Sequence, residues 1–164
     1  SVISTTQLWG AEANLVARRR PSTQLDLRGL AGFRFLSLEE GLAYVRAQRS
    51  LILPDAFQTI TDQFGTQNRF YGGQLGGSAR YTRGRVYFEG IGKVALGANL
   101  ETVSLSGVTN FTVNGQAGAA GSGILVRTSN AGTTRNTRFA VVPEVAARIG
   151  VNLTDNVSAF VGYT

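Results

Sequence analysis

Two long runs of alternating character, 70–82 and 85–101, separated by little more than Arg83-Gly84, constrain this chain more than any other feature. In the first run the odd positions Tyr71, Gly73, Leu75, Gly77, Ala79 and Tyr81 are apolar or tiny. The even positions Gly72, Gln74, Gly76, Ser78, Arg80 and Thr82 are mostly polar. Past the turn the phase reverses: Val86, Phe88, Gly90, Gly92, Val94, Leu96, Ala98 and Leu100 stand opposite Arg85, Tyr87, Glu89, Lys93, Asn99 and Glu101. A period of two means β-strand. Length carries the rest of the inference, because ordinary strands run to about 5–6 residues and a half-buried soluble sheet alternates equally well. The step from Tyr71 to Tyr81 covers roughly 33 Å of strand, which at a tilt of about 40° rises about 25 Å, the height of the apolar band of an outer-membrane barrel. Tyr71 and Tyr81 then fall where the two membrane interfaces lie.

The other segments read by the same rule. A first strand covers 8–17, with Trp9, Ala11, Ala13 and Leu15 opposite Gly10, Glu12 and Asn14. A second begins near Gln24, with Leu25, Leu27, Gly29, Ala31, Phe33 and Phe35 opposite Asp26, Arg28, Gly32 and Arg34, and extends toward Leu42 and Val45. A fifth covers 137–152, with Phe139, Val141, Pro143, Val145, Ala147, Ile149 and Val151 opposite Arg138, Glu144, Arg148 and Asn152; Pro143 suggests an edge or a bulge. A sixth starts at Val157 after the turn Thr154-Asp155-Asn156. The polar stretch 48–67 reads as a long loop, and so does the Gly-, Ala-, Asn-, Ser- and Thr-rich stretch 106–136, with a short hairpin of 109–113 and 123–127 around a Gly-Ala tip. Short turns at 18–23, 82–84 and 153–156 alternate with these loops, as periplasmic turns and extracellular loops do in outer-membrane barrels. The expected fold is all-β: an antiparallel up-and-down transmembrane β-barrel, here an incomplete portion of about six strands. Residues 1–164 are expected to form a single barrel region, a fragment whose remaining strands would belong to a longer parent chain.

Composition narrows the function. With no cysteine and no histidine, disulfides, thiol nucleophiles, zinc centres and imidazole bases are excluded. The absence of methionine, and the plain start Ser1-Val2-Ile3-Ser4, suggest a processed product or a fragment. No apolar run is long enough for a membrane helix, a criterion silent on barrel strands. A net charge of +6 raises the question of nucleic acid, but the basic residues are scattered. The run Arg18-Arg19-Arg20, closed by Pro21, reads as a solvated turn rather than a phosphate-binding patch. No nucleic-acid partner is expected.

The stretches LWGAEANL at 8–15, GFRFLSLEEGL at 32–42, FYGGQLG at 70–76, KVALG at 93–97, RFAVVPE at 138–144 and FVGYT at 160–164 cover most of the chain in order. In these the chain resembles the beta-barrel porin-7 family of planctomycete outer-membrane proteins. The resemblance implies an outer-membrane location and further strands on both sides, and it makes Pro143 part of a family feature. It implies no substrate.

Alternation puts nine charges on the lumen side: Glu12, Asp26, Arg28, Arg34, Arg80, Glu89, Lys93, Glu144 and Arg148. They could line a selective pore. The favoured alternative is a cross-strand salt-bridge network filling a narrow lumen, because both signs are available, as with Arg80 and Glu89 flanking the turn. Trp9, Phe33, Phe35, Tyr71, Tyr81, Phe88, Phe139 and Tyr163 are the expected membrane-interface aromatics. Gly90-Ile91-Gly92-Lys93 lacks the spacing of a phosphate loop, and Glu39 and Glu40, adjacent on a strand, point to opposite faces. The expected function is a structural or weakly porin-like outer-membrane barrel with two long extracellular loops, no catalysis and no cofactor, whose partners are outer-membrane lipid and small solutes or ions. The alternative is a secreted soluble β-protein binding a ligand or polysaccharide through its loops. A barrel hydrolase would need a nucleophile and a base that this composition does not offer.

Overall fold

The computed structural model describes residues 1–50, 55–154 and 156–164. They form β1 (Val2–Arg19), β2 (Leu25–Arg49), β3 (Phe57–Arg83), β4 (Val86–Val113), β5 (Gln116–Ala120), β6 (Gly132–Asn152) and β7 (Ser158–Tyr163), with no helix among the described residues. One sheet takes the order β1-β2-β3-β4-β6-β7, and β5 pairs with β4. The all-β antiparallel reading holds, with six strands along the main path.

The strands outrun their sequence boundaries. β3 starts at Phe57 and β4 continues to Val113, so most of the expected loops 48–67 and 106–136 is strand. Residues 51–54 of the first expected loop, and Asp155 of the last turn, lie outside the described residues. The reason for the difference is physical. Phe57, Thr59, Ile60, Thr61, Phe64 and Thr66 are strand formers, but both faces of this stretch are polar or mixed, so hydropathy stops alternating while the ladder continues.

The expected hairpin in the second loop also pairs differently. Residues 109–113 pair with 116–120, Thr109 opposite Ala120 and Val113 opposite Gln116, and not with 123–127. The turn is Asn114-Gly115, at φ 49° and 75°. Two successive positive φ values are the type I′ signature, for which Asn-Gly is the strongest short sequence signal. Valine in place of Gly115 should cost about 1–2 kcal/mol, seen as faster amide exchange confined to 116–120. At Gly84-Arg85, which joins β3 to β4, only Gly84 has positive φ, at 62°, the pattern of a type II′ turn.

Pro143 sits inside β6, which runs unbroken from Gly132 to Asn152. Asn152 donates its N–H to the Arg85 carbonyl at 2.7 Å on the β4 side, so odd-numbered residues of β6 direct theirs toward β7. The β6–β7 register starts at Ala147 opposite Tyr163. Pro143 therefore lacks its N–H on the side where the described strands offer no acceptor, which meets the usual condition for a strand proline.

The chain divides into two compact units. The turn unit comprises Gly10–Phe35, Phe70–Ala98 and Phe139–Thr164, and the loop unit comprises Ser1–Trp9, Leu36–Arg69 and Asn99–Arg138. The turn unit holds the short connections. In 20–24 the Ser22 hydroxyl accepts the N–H groups of Gln24 and Leu25, at 3.3 and 3.1 Å. In 153–157 Thr154 accepts those of Asn156 and Val157, at 3.3 and 3.0 Å. Such side-chain acceptors let the chain reverse without leaving turn N–H groups unpaired. The loop unit holds the end of β2, the start of β3 and the long segment from Asn114 to Ala131 that includes β5.

Candidate functional site, the charged face

In the turn unit one face of the sheet carries the even-numbered residues of β1, β2, β3 and β6 and the odd-numbered residues of β4. Charged side chains concentrate there. Arg34 donates to Glu144 at 2.5 Å, Glu144 accepts from Lys93 at 2.8 Å, and the Lys93 ammonium also reaches Glu12 at 3.1 Å. Gln74 extends the chain, donating to Glu12 at 3.0 Å and to Asn14 at 2.6 Å. The four charges cancel.

These contacts also report curvature. Glu12 on β1 and Lys93 on β4 are three strands apart in the order, as are Arg34 on β2 and Glu144 on β6. In a flat sheet three steps would separate the backbones by about 14 Å. Direct contact requires the sheet of this unit to curl toward the charged face, so that side chains meet across the concavity. Glycines clear the room: a Cβ on Gly76 would meet the Lys93 side chain at 2.7 Å, and one on Gly150 would meet the Tyr87 ring at 2.5 Å.

Toward the short turns the same face becomes basic. Asp26 is held by Arg18, whose Nε lies 2.9 Å from Oδ1, and by Arg28 at 3.3 Å, with Arg20 at 4.0 Å. Glu89, only 8% exposed, lies between Arg28 at 4.0 Å and Arg148 at 3.7 Å. Arg80 does not pair with Glu89, contrary to the expectation from their places beside the turn. Its guanidinium stacks over buried Tyr87, 3.4 Å from the ring centroid, and donates to Asn152 Oδ1 at 3.0 Å. Arg80 thus reaches diagonally along the neighbouring β4 and past it to β6, so side-chain length rather than direct register selected its partners.

The opposite face is apolar and open. Phe33, Tyr71, Tyr81, Phe88, Phe139 and Tyr163 are exposed there, with Leu75, Val141 and Val145 between them, while Phe35 is half-buried with its ring 4.9 Å from that of Tyr71. In the loop unit Trp9 is exposed as well.

Within the loop unit, buried Asp62 on β3 organises the segment that follows β5. Its carboxylate accepts the N–H groups of Ile124 and Leu125, each at 3.1 Å, and of Val126 at 2.9 Å. Asp62 and Val126 are both 0% exposed. Burial pushes the Asp62 pKa up, but the donors from Val126, Leu125 and Ile124 outweigh it and hold the carboxyl below the usual aspartate range. Thr109 on β4 donates to the Ser122 carbonyl at 2.7 Å, fastening the start of the same segment. In this unit Glu39 and Glu40 part as expected of strand neighbours, Glu39 accepting from Gln67 at 2.5 Å and Glu40 from Thr66 at 3.4 Å.

A family model described as Putative beta barrel porin-7 matches residues 1–164, the whole length of the chain. The chain belongs to the beta barrel porin-7 family. No curated protein matches it.

For this beta barrel porin-7 chain, the structure brings all nine sequence-selected charges onto one face of the turn unit. They form two groups: Glu12, Arg34, Lys93 and Glu144 in the neutral chain, and Asp26, Arg28, Arg80, Glu89 and Arg148 near the turns. Sequence reasoning missed Gln74 and Asn14, although both lie at polar positions of the same phase. It missed Asp62 because its surroundings do not alternate in hydropathy, and its partners are backbone groups of a segment with no periodic signal.

Proposed function

We propose that this chain is part of the wall of an outer-membrane β-barrel, structural or weakly porin-like, whose charged face lines the lumen and whose long connection 114–131 faces the exterior. One observation carries the reading: the turn unit is inside out relative to a water-soluble protein. Phe139, Val145 and Tyr163 are 73, 76 and 85% exposed, while the Lys93 side chain is 10% exposed. Each large apolar side chain moved from water into lipid contributes about 1.5–3 kcal/mol. A continuous apolar row of this kind on a soluble β-protein would be an aggregation surface. The paired charges, by contrast, satisfy one another away from lipid, as an intramembrane ionisable cluster must.

The neutral chain Arg34–Glu144–Lys93–Glu12 crosses the concave side and narrows it, which favours a filled lumen over a wide channel. The reading includes no catalytic step. The test is extraction of the full-length protein from membranes followed by planar-bilayer recording. Detergent dependence is expected, with small or no conductance steps; large steps would make it an open pore, and recovery in the aqueous phase without detergent would overturn the membrane reading.

A further inference from the structure

The two charge groups on the inner face differ in one respect. Arg34, Glu144, Lys93 and Glu12 balance, but toward the short turns Arg18, Arg20, Arg28, Arg80 and Arg148 face only Asp26 and Glu89 among the described residues. Five cations against two anions leave an excess of three positive charges in one curled patch. An excess of that size costs self-repulsion unless an anion relieves it.

We propose that the short-turn end of this face binds a small phosphate-bearing anion, with Arg80 as its principal ligand. The cavity that contains Arg80 measures about 730 Å³ and is lined by Arg18, Arg20, Gln24, Arg80, Thr82 and Asn152 among others. That is ample for a phosphate group with water or a small organic moiety. Arg80 has no carboxylate within ion-pairing distance among the described residues. Stacking on Tyr87 fixes the plane of its guanidinium, and Asn152 takes one of its five N–H donors. The remaining donors stay oriented at the edge of a held plane, the geometry in which arginine grips phosphate oxygens bidentately. Thr82 and Gln24 add neutral donors on the same wall.

Asp26 also lines the cavity and would repel an anion. Its carboxylate, however, is already engaged by Arg18 and Arg28, with Arg20 at 4.0 Å, so its field is largely neutralised. The run Arg18-Arg19-Arg20 is then more than a solvated turn: two of its members line the pocket. The same oxygen chemistry is carried by a free phosphate and by a phospholipid headgroup, and curvature toward the charged face favours the free anion.

Naming phosphate-bearing anions as the solute class rests on the porin-like reading, whereas binding itself does not, and the experiment separates the two. Full-length protein in detergent is titrated with inorganic phosphate by calorimetry, with a soluble short-chain phosphatidic acid as a second arm. Saturable phosphate binding is expected, weakened at least tenfold by Arg80→Gln, partly restored by Arg80→Lys, and unchanged by Arg69→Gln in the loop unit. Folding of each variant is checked by its unfolding midpoint, and Thr82→Val, a milder change, should weaken binding a few-fold if Arg80→Gln fails to fold. Absence of saturable phosphate binding, binding by the lipid alone, or equal affinity in folded Arg80→Gln would each overturn the site. Binding in a protein that stays soluble without detergent would leave the site standing and remove the porin-like reading.

Discussion

Replacing Lys93 with methionine should destabilise the protein by about 3 kcal/mol, the low end of the cost of removing one partner from a buried ion pair. The ammonium touches Glu144 at 2.8 Å and Glu12 at 3.1 Å, so its loss leaves two carboxylates facing one another across the space it occupied. Glu144 retains Arg34, and Glu12 retains the Gln74 amide. Glu12 is also more than one-third open to solvent, which lessens its share. The prediction carries its own control. Glu144→Gln in the Lys93→Met background removes one of the stranded charges and should recover part of the loss, a coupling that a double-mutant cycle on denaturant midpoints reads directly. A change below about 0.5 kcal/mol, the range of ordinary surface substitutions, would mean that the network contributes nothing to holding the curled sheet.

Asp62→Ala should release the segment after β5 without unfolding the strands. Its carboxylate accepts three backbone N–H groups in a buried setting, and alanine leaves all three without an acceptor. Hydrogen bonds to a charged group are worth about 1.5–3 kcal/mol each, and the three are not additive, so a local cost of about 3 kcal/mol is expected. Amide exchange at Ile124, Leu125 and Val126 should accelerate by about two orders of magnitude, the rate factor that corresponds to that cost. The pH dependence has a definite sign. Because the folded pKa lies below the usual aspartate value, the stabilisation is fully present above the unfolded pKa and is lost as pH falls through the folded one. Protection of the three amides, corrected for intrinsic exchange, should therefore stay flat from neutral pH down to about 5 and fall only below about 4. Loss of protection near pH 6 would contradict this anchor.

How much of this was legible in the sequence depended on what lay on the two sides of each strand. The hairpin around Gly84 was readable because an apolar row faced one way and a polar row the other over its whole length. The start of β3 at Phe57 and the end of β4 at Val113 were not, because both faces there carry polar residues and the periodic signal vanishes while the backbone ladder persists. The β5 hairpin was signalled locally, by Asn114-Gly115, but a glycine-rich surrounding sequence offered competing turns. Parity placed the nine charges on one face. It could not choose their partners: Arg80 and Glu89 flank the same turn, yet Arg80 settles diagonally on Tyr87 of the neighbouring strand, and Glu89 on Arg148 of the next strand and Arg28 two strands away, because long side chains have several partners within reach on the curled face. Asp62 was invisible for a related reason, since its role is defined by backbone donors from a segment with no pattern of its own.

The central claim, that the apolar face meets lipid while the charged face does not, is tested by single-cysteine labelling along alternating positions of the strands. The sequence itself contains no cysteine to compete with the introduced ones. Cysteine at Leu75, Phe88 or Val145 in membrane-embedded protein should resist a water-soluble maleimide and, once labelled with a fluorophore by a lipid-permeant reagent, be quenched by brominated lipid. Cysteine at Ser78 or Ala146, of the opposite phase, should escape that quenching. Rapid aqueous labelling at Leu75, Phe88 and Val145, with no lipid quenching at any of them, would contradict the account.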